Sequence, residues 1–168
     1  EALGWDVANK AGYAEQYKDV VHEDAIKVAE ATKAPDYCFR IGGVRKFFLE
    51  TKKPSVDIKD QISPAYQLRR YAWSSKLPVS ILTDFEEFAI YDGRLRPNPN
   101  DKASVGRVRY YTYTEYLNSF EEIYNVFSKE SVLKGSFDKF AKSEKQKRGT
   151  TEVDAEFLKE IESWREAL

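Results

Sequence analysis

The stretch Asp36-Tyr37-Cys38-Phe39-Arg40-Ile41-Gly42-Gly43-Val44-Arg45-Lys46-Phe47-Phe48-Leu49-Glu50-Thr51-Lys52 decides the fold. Tyr37, Phe39 and Ile41 alternate with Asp36, Cys38 and Arg40, and Phe47 and Leu49 alternate with Lys46, Phe48, Glu50 and Lys52. Period two with β-rich residues around two glycines predicts a β-hairpin. Residues directly opposed on paired strands share a face of the sheet. The apolar positions of both strands are odd-numbered, so opposed pairs must sum to an even number for both sets to reach the core. A two-residue Gly42-Gly43 turn gives an odd sum and turns one set the wrong way. The hairpin therefore needs a three-residue loop with a glycine bulge, or a bulge elsewhere in its ladder. With even parity, Asp36, Glu50 and Lys52 share one side of the sheet, away from the odd-numbered core set.

Two carboxylates converging from neighbouring strands suit Mg²⁺, a hard cation that takes one or two protein carboxylates and leaves positions for water and phosphate oxygen. Lys52 points the same way as Glu50, about 7 Å further along the strand. An ammonium there can lower the pKa of the attacking water or steady the charge of a phosphorane-like transition state. The chemistry implied is metal-assisted hydrolysis of a phosphodiester.

Outward from the hairpin, Pro54 ends the second strand. Ser63-Pro64 predicts a helix start, Ser at the N-cap and Pro at the first helical position, with the helix running to about Lys76. Gln67 and Tyr71 fall one turn apart on its face. Val79–Thr83 and Phe88–Tyr91 read as strands around the turn Asp84–Glu86, residues 92–106 as a long loop, and Arg107–Thr112 as an edge strand. Tyr116, Leu117, Phe120, Ile123, Tyr124 and Phe127 stripe an amphipathic helix. Gly135 breaks it, a short helix follows over Ser136–Ser143, and a terminal helix carries Phe157, Leu158, Ile161, Trp164 and Leu168. Residues 14–32 fit either strand or helix.

Composition bounds the chemistry. The chain has 168 residues, 42% hydrophobic and 33% charged, with net charge −1, which describes a soluble globular protein. Its single Cys excludes an internal disulfide framework and a Cys-based zinc site, and its single His excludes a metal site with two His ligands. No run approaches the roughly 20 apolar residues that span a bilayer, and no signal peptide opens the chain, so a cytoplasmic location without membrane contact is expected. The neutral total hides a partition: residues 37–76 hold nine basic and three acidic groups, a local excess suited to phosphate.

Taken together, Pro35-Asp36, thirteen intervening residues, Glu50-Thr51-Lys52, and then Gln67-Leu68-Arg69-Arg70-Tyr71 resemble the PD-(D/E)xK nuclease motif and the QxxxY element that follows it in some branches. Leu-Gly-Trp-Asp-Val (3–7), Ala-Pro-Asp-Tyr (34–37), Phe-Phe-Leu-Glu-Thr-Lys-Lys-Pro (47–54), Gln-Leu-Arg-Arg-Tyr-Ala (67–72) and Leu-Thr-Asp-Phe-Glu-Glu-Phe (82–88) are similar to the N-terminal endonuclease domain of type IIG restriction–modification enzymes, and to the type I restriction subunit. Val-Asp-Ala-Glu-Phe-Leu (153–158) and Ser-Trp-Arg-Glu-Ala-Leu (163–168) resemble the connector into an adenine-N6 methyltransferase.

The resemblance implies an α/β, restriction-endonuclease-like mixed β-sheet flanked by helices, with a C-terminal helical connector. Residues 1–113 would form the nuclease domain and 114–168 the extension toward a methyltransferase, with specificity domains elsewhere. It implies Asp36 and Glu50 as ligands of Mg²⁺ (Mn²⁺ may substitute), the Thr51 carbonyl as a third, and Lys52 as the catalytic lysine. Gln67, Arg70 and Tyr71 would lie near double-stranded DNA, and Glu23 is a candidate auxiliary acid. The family also carries an acidic residue on a helix before Leu-Gly-Trp, where this chain has only Glu1-Ala2. A non-catalytic DNA-binding or docking module, or a repair or structure-specific nuclease, are the alternative readings. His22 reads as structural or exposed, Cys38 as a packing residue, Trp73 as core, and Tyr110–Tyr113 as strand packing.

Overall fold

A computed structural model describes residues 2–145; the expected terminal helix lies outside the described residues. The strands are β1 Val20–His22, β2 Ile26–Val28, β3 Ala31–Lys33, β4 Tyr37–Ile41, β5 Val44–Thr51, β6 Val79–Thr83, β7 Glu87–Asp92 and β8 Arg107–Thr112. The helices are α1 Ile62–Ser74, α2 Tyr116–Phe127 and α3 Lys129–Leu133, followed by a helical segment over 136–145. Six strands form one sheet in the order β1-β4-β5-β6-β7-β8, and β2 pairs with β3 alone. Only β5 and β6 run parallel, joined by the crossover through α1. This is a mixed α/β, restriction-endonuclease-like architecture, with β8 at the sheet edge as its sequence suggests. Among the described residues no helix is long and apolar enough to cross a membrane.

The parity problem of the β4–β5 hairpin is solved in the ladder, not in the turn. Gly42 (φ 55°) and Gly43 (φ 82°) both occupy the left-handed region, as a tight type I′ turn requires. Ile41 faces Val44 and Arg40 faces Arg45; the register then shifts, so that Phe39 faces Phe47 and Tyr37 faces Leu49. Lys46 is the extra residue. The bulge restores even sums beyond the turn, and the two apolar sets reach the same side.

That side is one of two cores. Phe39 and Phe47 stack at 4.5 Å, and Trp5, Phe127 and Phe137 close edge-on or tilted around Phe47. The helices after β8 are part of this cluster, through Phe127, Val132, Phe137 and Ala141. On the opposite side, Cys38 and Phe48 are fully buried against Leu68, Tyr71 and Ala72 of α1. The even-numbered face therefore does not look away from the core: it is covered by α1, and Asp36, Glu50 and Lys52 sit at the margin of that second core. Residues 47–49, three apolar residues in a row, are what a strand buried on both faces looks like.

Two local expectations are corrected and one open reading is resolved. The cap of α1 is Gln61, so Ser63 and Pro64 lie inside the first turn and Ser63 does not cap. The ambiguous stretch 14–32 forms the short strands β1 and β2, preceded by one 3-10 turn. Trp73 is not core, being 43% exposed at the C-terminal end of α1.

Candidate active site

The site is built on β4, β5 and α1. Asp36 directly precedes β4, and its backbone N–H lies 3.3 Å from Glu50 Oε2 across the hairpin. Asp36 Oδ2 accepts from the Thr51 backbone N–H (2.7 Å) and from the Thr51 hydroxyl (2.6 Å). Thr51, the central residue of Glu50-Thr51-Lys52, thus orients the first carboxylate through two donors. The family resemblance implies only a carbonyl role for Thr51; the hydroxyl contact with Asp36 is a finding of the structure.

Glu50 is 3% exposed. Its Oε1 accepts from Lys52 Nζ at 2.8 Å and from Gln67 Nε2 at 2.7 Å. Burial pushes the Glu50 carboxyl above its ordinary pKa; Lys52 pulls it back, and the neighbouring Asp36 charge adds to the rise. Lys52 is held at both ends. Its backbone N–H donates to the Thr83 carbonyl (2.8 Å), where β5 leaves β6, and its ammonium lies between Glu50 and Gln67.

Gln67 carries the helix into the site. Its amide oxygen accepts from Lys52 Nζ (3.2 Å), and its amide nitrogen donates to Glu50 and to the Tyr71 hydroxyl (2.9 Å). Only one orientation of the amide satisfies an ammonium on one side and a carboxylate on the other, so the neighbours fix it. Asp36, Glu50, Thr51, Lys52, Gln67 and Tyr71 form one connected network.

The remaining candidates fall outside it. The Glu23 N–H donates to the Asp36 carbonyl (3.1 Å), which sets its backbone beside the site, but its side chain is exposed. Among the described residues no three His, Cys, Asp or Glu side chains gather as a metal cage, so the acidic part of the site consists of two carboxylates. Arg70 stacks over the Tyr66 ring at 5.4 Å, beside the site and not in it. Arg69 is 2% exposed and pairs with Asp101 at 2.8 Å, fastening the 92–106 loop to α1. His22 opposes Tyr37 and packs on its ring at 4.6 Å, which places it on the other face of the sheet from Asp36. Cys38 is fully buried, and that burial raises its thiol to about 12, as suits a packing residue.

A carboxylate pair across a hairpin, a lysine on the same strand and a Gln–Tyr helix beneath them belong to an α/β domain of restriction-endonuclease-like type. The comparisons agree. Residues 18–99, just under half of the chain, match the family described as the type I restriction enzyme R protein N terminus (HSDR_N). The chain is also 44% identical over 165 residues to an Escherichia coli protein, "Type II restriction enzyme and methyltransferase RM.Eco57I". The alignment takes in 97% of this chain and 16% of that relative, so the chain spans about one-sixth of its length. No solved structure matches the chain.

Proposed function

We propose that the chain is the DNA-cleaving domain of a cytoplasmic restriction–modification enzyme, hydrolysing phosphodiester bonds of duplex DNA with the help of a divalent cation. The observation that carries this reading is the single network joining Asp36, Glu50 and Lys52 across the hairpin. Its support is the family match and the likeness to a protein named as both restriction enzyme and methyltransferase.

The residues fit a hard cation. Two carboxylates face a single ammonium, so their formal charge exceeds what Lys52 balances; burial of Glu50 disfavours its charged form, a cost that a bound cation would offset. All-oxygen donors of this kind suit Mg²⁺, with Mn²⁺ as a substitute. Asp36, Glu50 and the Thr51 carbonyl would hold it. Once bound, such an ion supplies charge neutralisation at a phosphoryl oxygen and a stronger water nucleophile.

The chain's own groups do the rest. Thr51 holds Asp36 in one orientation through two hydrogen bonds. Gln67 keeps the Lys52 ammonium beside Glu50, 2.8 Å away, where it is placed to meet the charge that develops on the phosphate. Tyr71 fixes Gln67 from below, and the helix-borne pair forms the rim toward DNA. We assign residues 1–113 to this nuclease role and 114–168 to the extension toward an adenine-N6 methyltransferase and specificity domains. The packing of α2 and α3 on the sheet makes that a division of role, not of core.

The test is cleavage of duplex DNA in Mg²⁺ by the intact restriction–modification polypeptide carrying Glu50→Ala or Lys52→Ala. Each variant should lose cleavage while keeping methylation and DNA binding. Cleavage surviving both changes would leave a non-catalytic module as the reading.

A further inference from the structure

Past Gln67, the surface of α1 runs into an open groove. Two adjoining hollows of about 570 Å³ and 270 Å³ share Ala29, Trp73 and Ser74. The walls are the tip of the β2–β3 hairpin, the exposed side of α1 and the loop from Gly93 to Pro97. The frame is stiff. A Cβ added at Gly93 would lie 2.3 Å from the Leu77 carbonyl oxygen, so the loop is seated directly on the end of α1. Arg69 holds the same loop from within, through Asp101 at 2.8 Å and the Arg96 carbonyl at 3.4 Å.

The lining is basic and aromatic. Arg94 is committed to Asp92, at 2.6 Å, and to the Ala141 carbonyl. The other four cations, Lys27, Arg70, Lys76 and Arg96, make no ion pair with a carboxylate among the described residues. Lys27 donates to the Thr32 hydroxyl and Arg70 lies over Tyr66, neither of which is an anionic partner. Glu30, exposed at the hairpin tip next to Ala29, is the acid nearest in sequence. Between these cations stands Trp73, 43% exposed, whereas Trp5 is 3% exposed in the core. Unpaired cations around an exposed indole make a surface suited to a sugar–phosphate strand.

Position strengthens the match. Arg70 and Trp73 follow Gln67 by three and six residues, about 4.5 and 9 Å along the helix axis. A strand of B-DNA advances about 3.4 Å per nucleotide. The groove therefore lies within a few nucleotides' reach of the Glu50–Lys52–Gln67 network.

We propose that this groove carries the backbone of one strand of duplex DNA flanking the scissile bond. Phosphates lie on Arg70, Arg96, Lys76 and Lys27, and a deoxyribose lies against Trp73. The inference rests on the reading of the chain as a nuclease acting on duplex DNA, and it assigns the track by which that substrate is held.

The experiment uses the 168-residue chain, a fluorescein-labelled 30-base-pair duplex and EDTA, so that binding is read without cleavage. Anisotropy titrations between 25 and 200 mM NaCl give the salt slope. Replacing Lys27, Arg70, Lys76 and Arg96 together by Gln should flatten the slope of log K against log[salt] by about 3 to 4, at about 0.9 per phosphate contact. Trp73→Ala should weaken binding roughly tenfold at fixed salt, in line with the loss of one aromatic contact. A control losing four exposed cations elsewhere (Lys33, Lys102, Lys139 and Lys142) should keep the parent slope. The proposal is overturned if the four-cation variant, folded by circular dichroism, keeps the parent slope, or if the parent chain fails to bind duplex at 25 mM salt. Cleavage by the Lys52→Ala enzyme would overturn the nuclease assignment and leave these binding results standing.

Discussion

Asp24→Asn should destabilise the protein at neutral pH, and the loss should fade in acid. Asp24 is 9% exposed between β1 and β2 and is gripped by two arginines of the hairpin. Arg45 Nε reaches Oδ2 at 2.6 Å, Arg45 Nη2 reaches Oδ1 at 3.1 Å, and Arg40 Nη2 reaches Oδ1 at 2.7 Å. Burial alone would raise the carboxyl pKa, but the bonds from Arg45 and Arg40 overcome it and bring the group from 3.8 down to about 2. That depression corresponds to about 2 kcal/mol of stability at neutral pH. Breaking a fully buried pair costs about 3–5 kcal/mol. Arg45 is about one-third exposed, so about 2 kcal/mol is the figure to expect for Asn as well. In a domain of this size that lowers Tm by about 4–8 °C. The sign is fixed by linkage. A carboxyl whose folded pKa is depressed contributes fully above its unfolded pKa, near 3.8, and loses the contribution as pH falls through about 2. Urea unfolding of both proteins at pH 7, 4, 3 and 2.5 measures this directly. The gap between them should hold from pH 7 to 4 and shrink below it. A gap that is absent at pH 7, or as large at pH 2.5 as at pH 7, would refute the assignment of the depressed pKa to the arginine clamp.

Other consequences are as direct. Gly42→Asn should be neutral or slightly stabilising, because Asn tolerates φ near +55° and Asn-Gly is the preferred type I′ pair. Gly43→Ala should cost at least about 1 kcal/mol in chemical denaturation, since its φ is 82° and its Cβ would lie 2.8 Å from the Gln16 carbonyl oxygen. Phe47→Ala, at a side chain 1% exposed and ringed by aromatics, should cost about 3–5 kcal/mol by the same measurement. Gln67→Ala should lower cleavage roughly 10- to 100-fold through lost orientation of Glu50 and Lys52. Gln67→Glu should not restore it, because a carboxylate cannot donate to Glu50.

The legible parts of this fold were those where geometry admits few answers. Side-chain alternation with period two forced even parity on the hairpin, and from parity alone Asp36 and Glu50 had to share a side. The position of the bulge was not legible, because an extra residue anywhere in the ladder repairs the count equally well; Lys46 carries no mark of it. The second core was visible in Phe48 and Cys38, even-numbered apolar residues, but alternation reads them as solvent-facing when only one core is assumed. Trp73 misled because a large apolar residue on a helix is usually buried, and its exposure depends on where the 93–97 loop and the β2–β3 hairpin come to rest. Arg69 and Arg70 are adjacent and alike in sequence; one is a buried strut and the other lines the groove, a difference set by their angle around α1. In the site, the resemblance to the QxxxY element pointed to Gln67 and Tyr71, and helical spacing put them on one face; their bonds to Lys52, Glu50 and each other came from the structure. The part played by the Thr51 hydroxyl required atomic positions.

The bulge at Lys46 has a meaning for how this protein can change over generations. At the present spacing, a tight glycine turn and two carboxylates on one side of the sheet are incompatible unless one unpaired residue separates them. Inserting a single residue between Ile41 and Phe47 while the bulge is kept would exchange the two sides of one strand, sending Phe47 to where Phe48 stood and Glu50 away from Asp36, whereas deleting Lys46 would remove the bulge and leave Phe39 opposite Phe47. Two residues added at the turn leave the alternation intact. The distance between the two carboxylates along the chain can therefore drift by steps of two, while odd steps must arrive together with the loss or gain of a bulge.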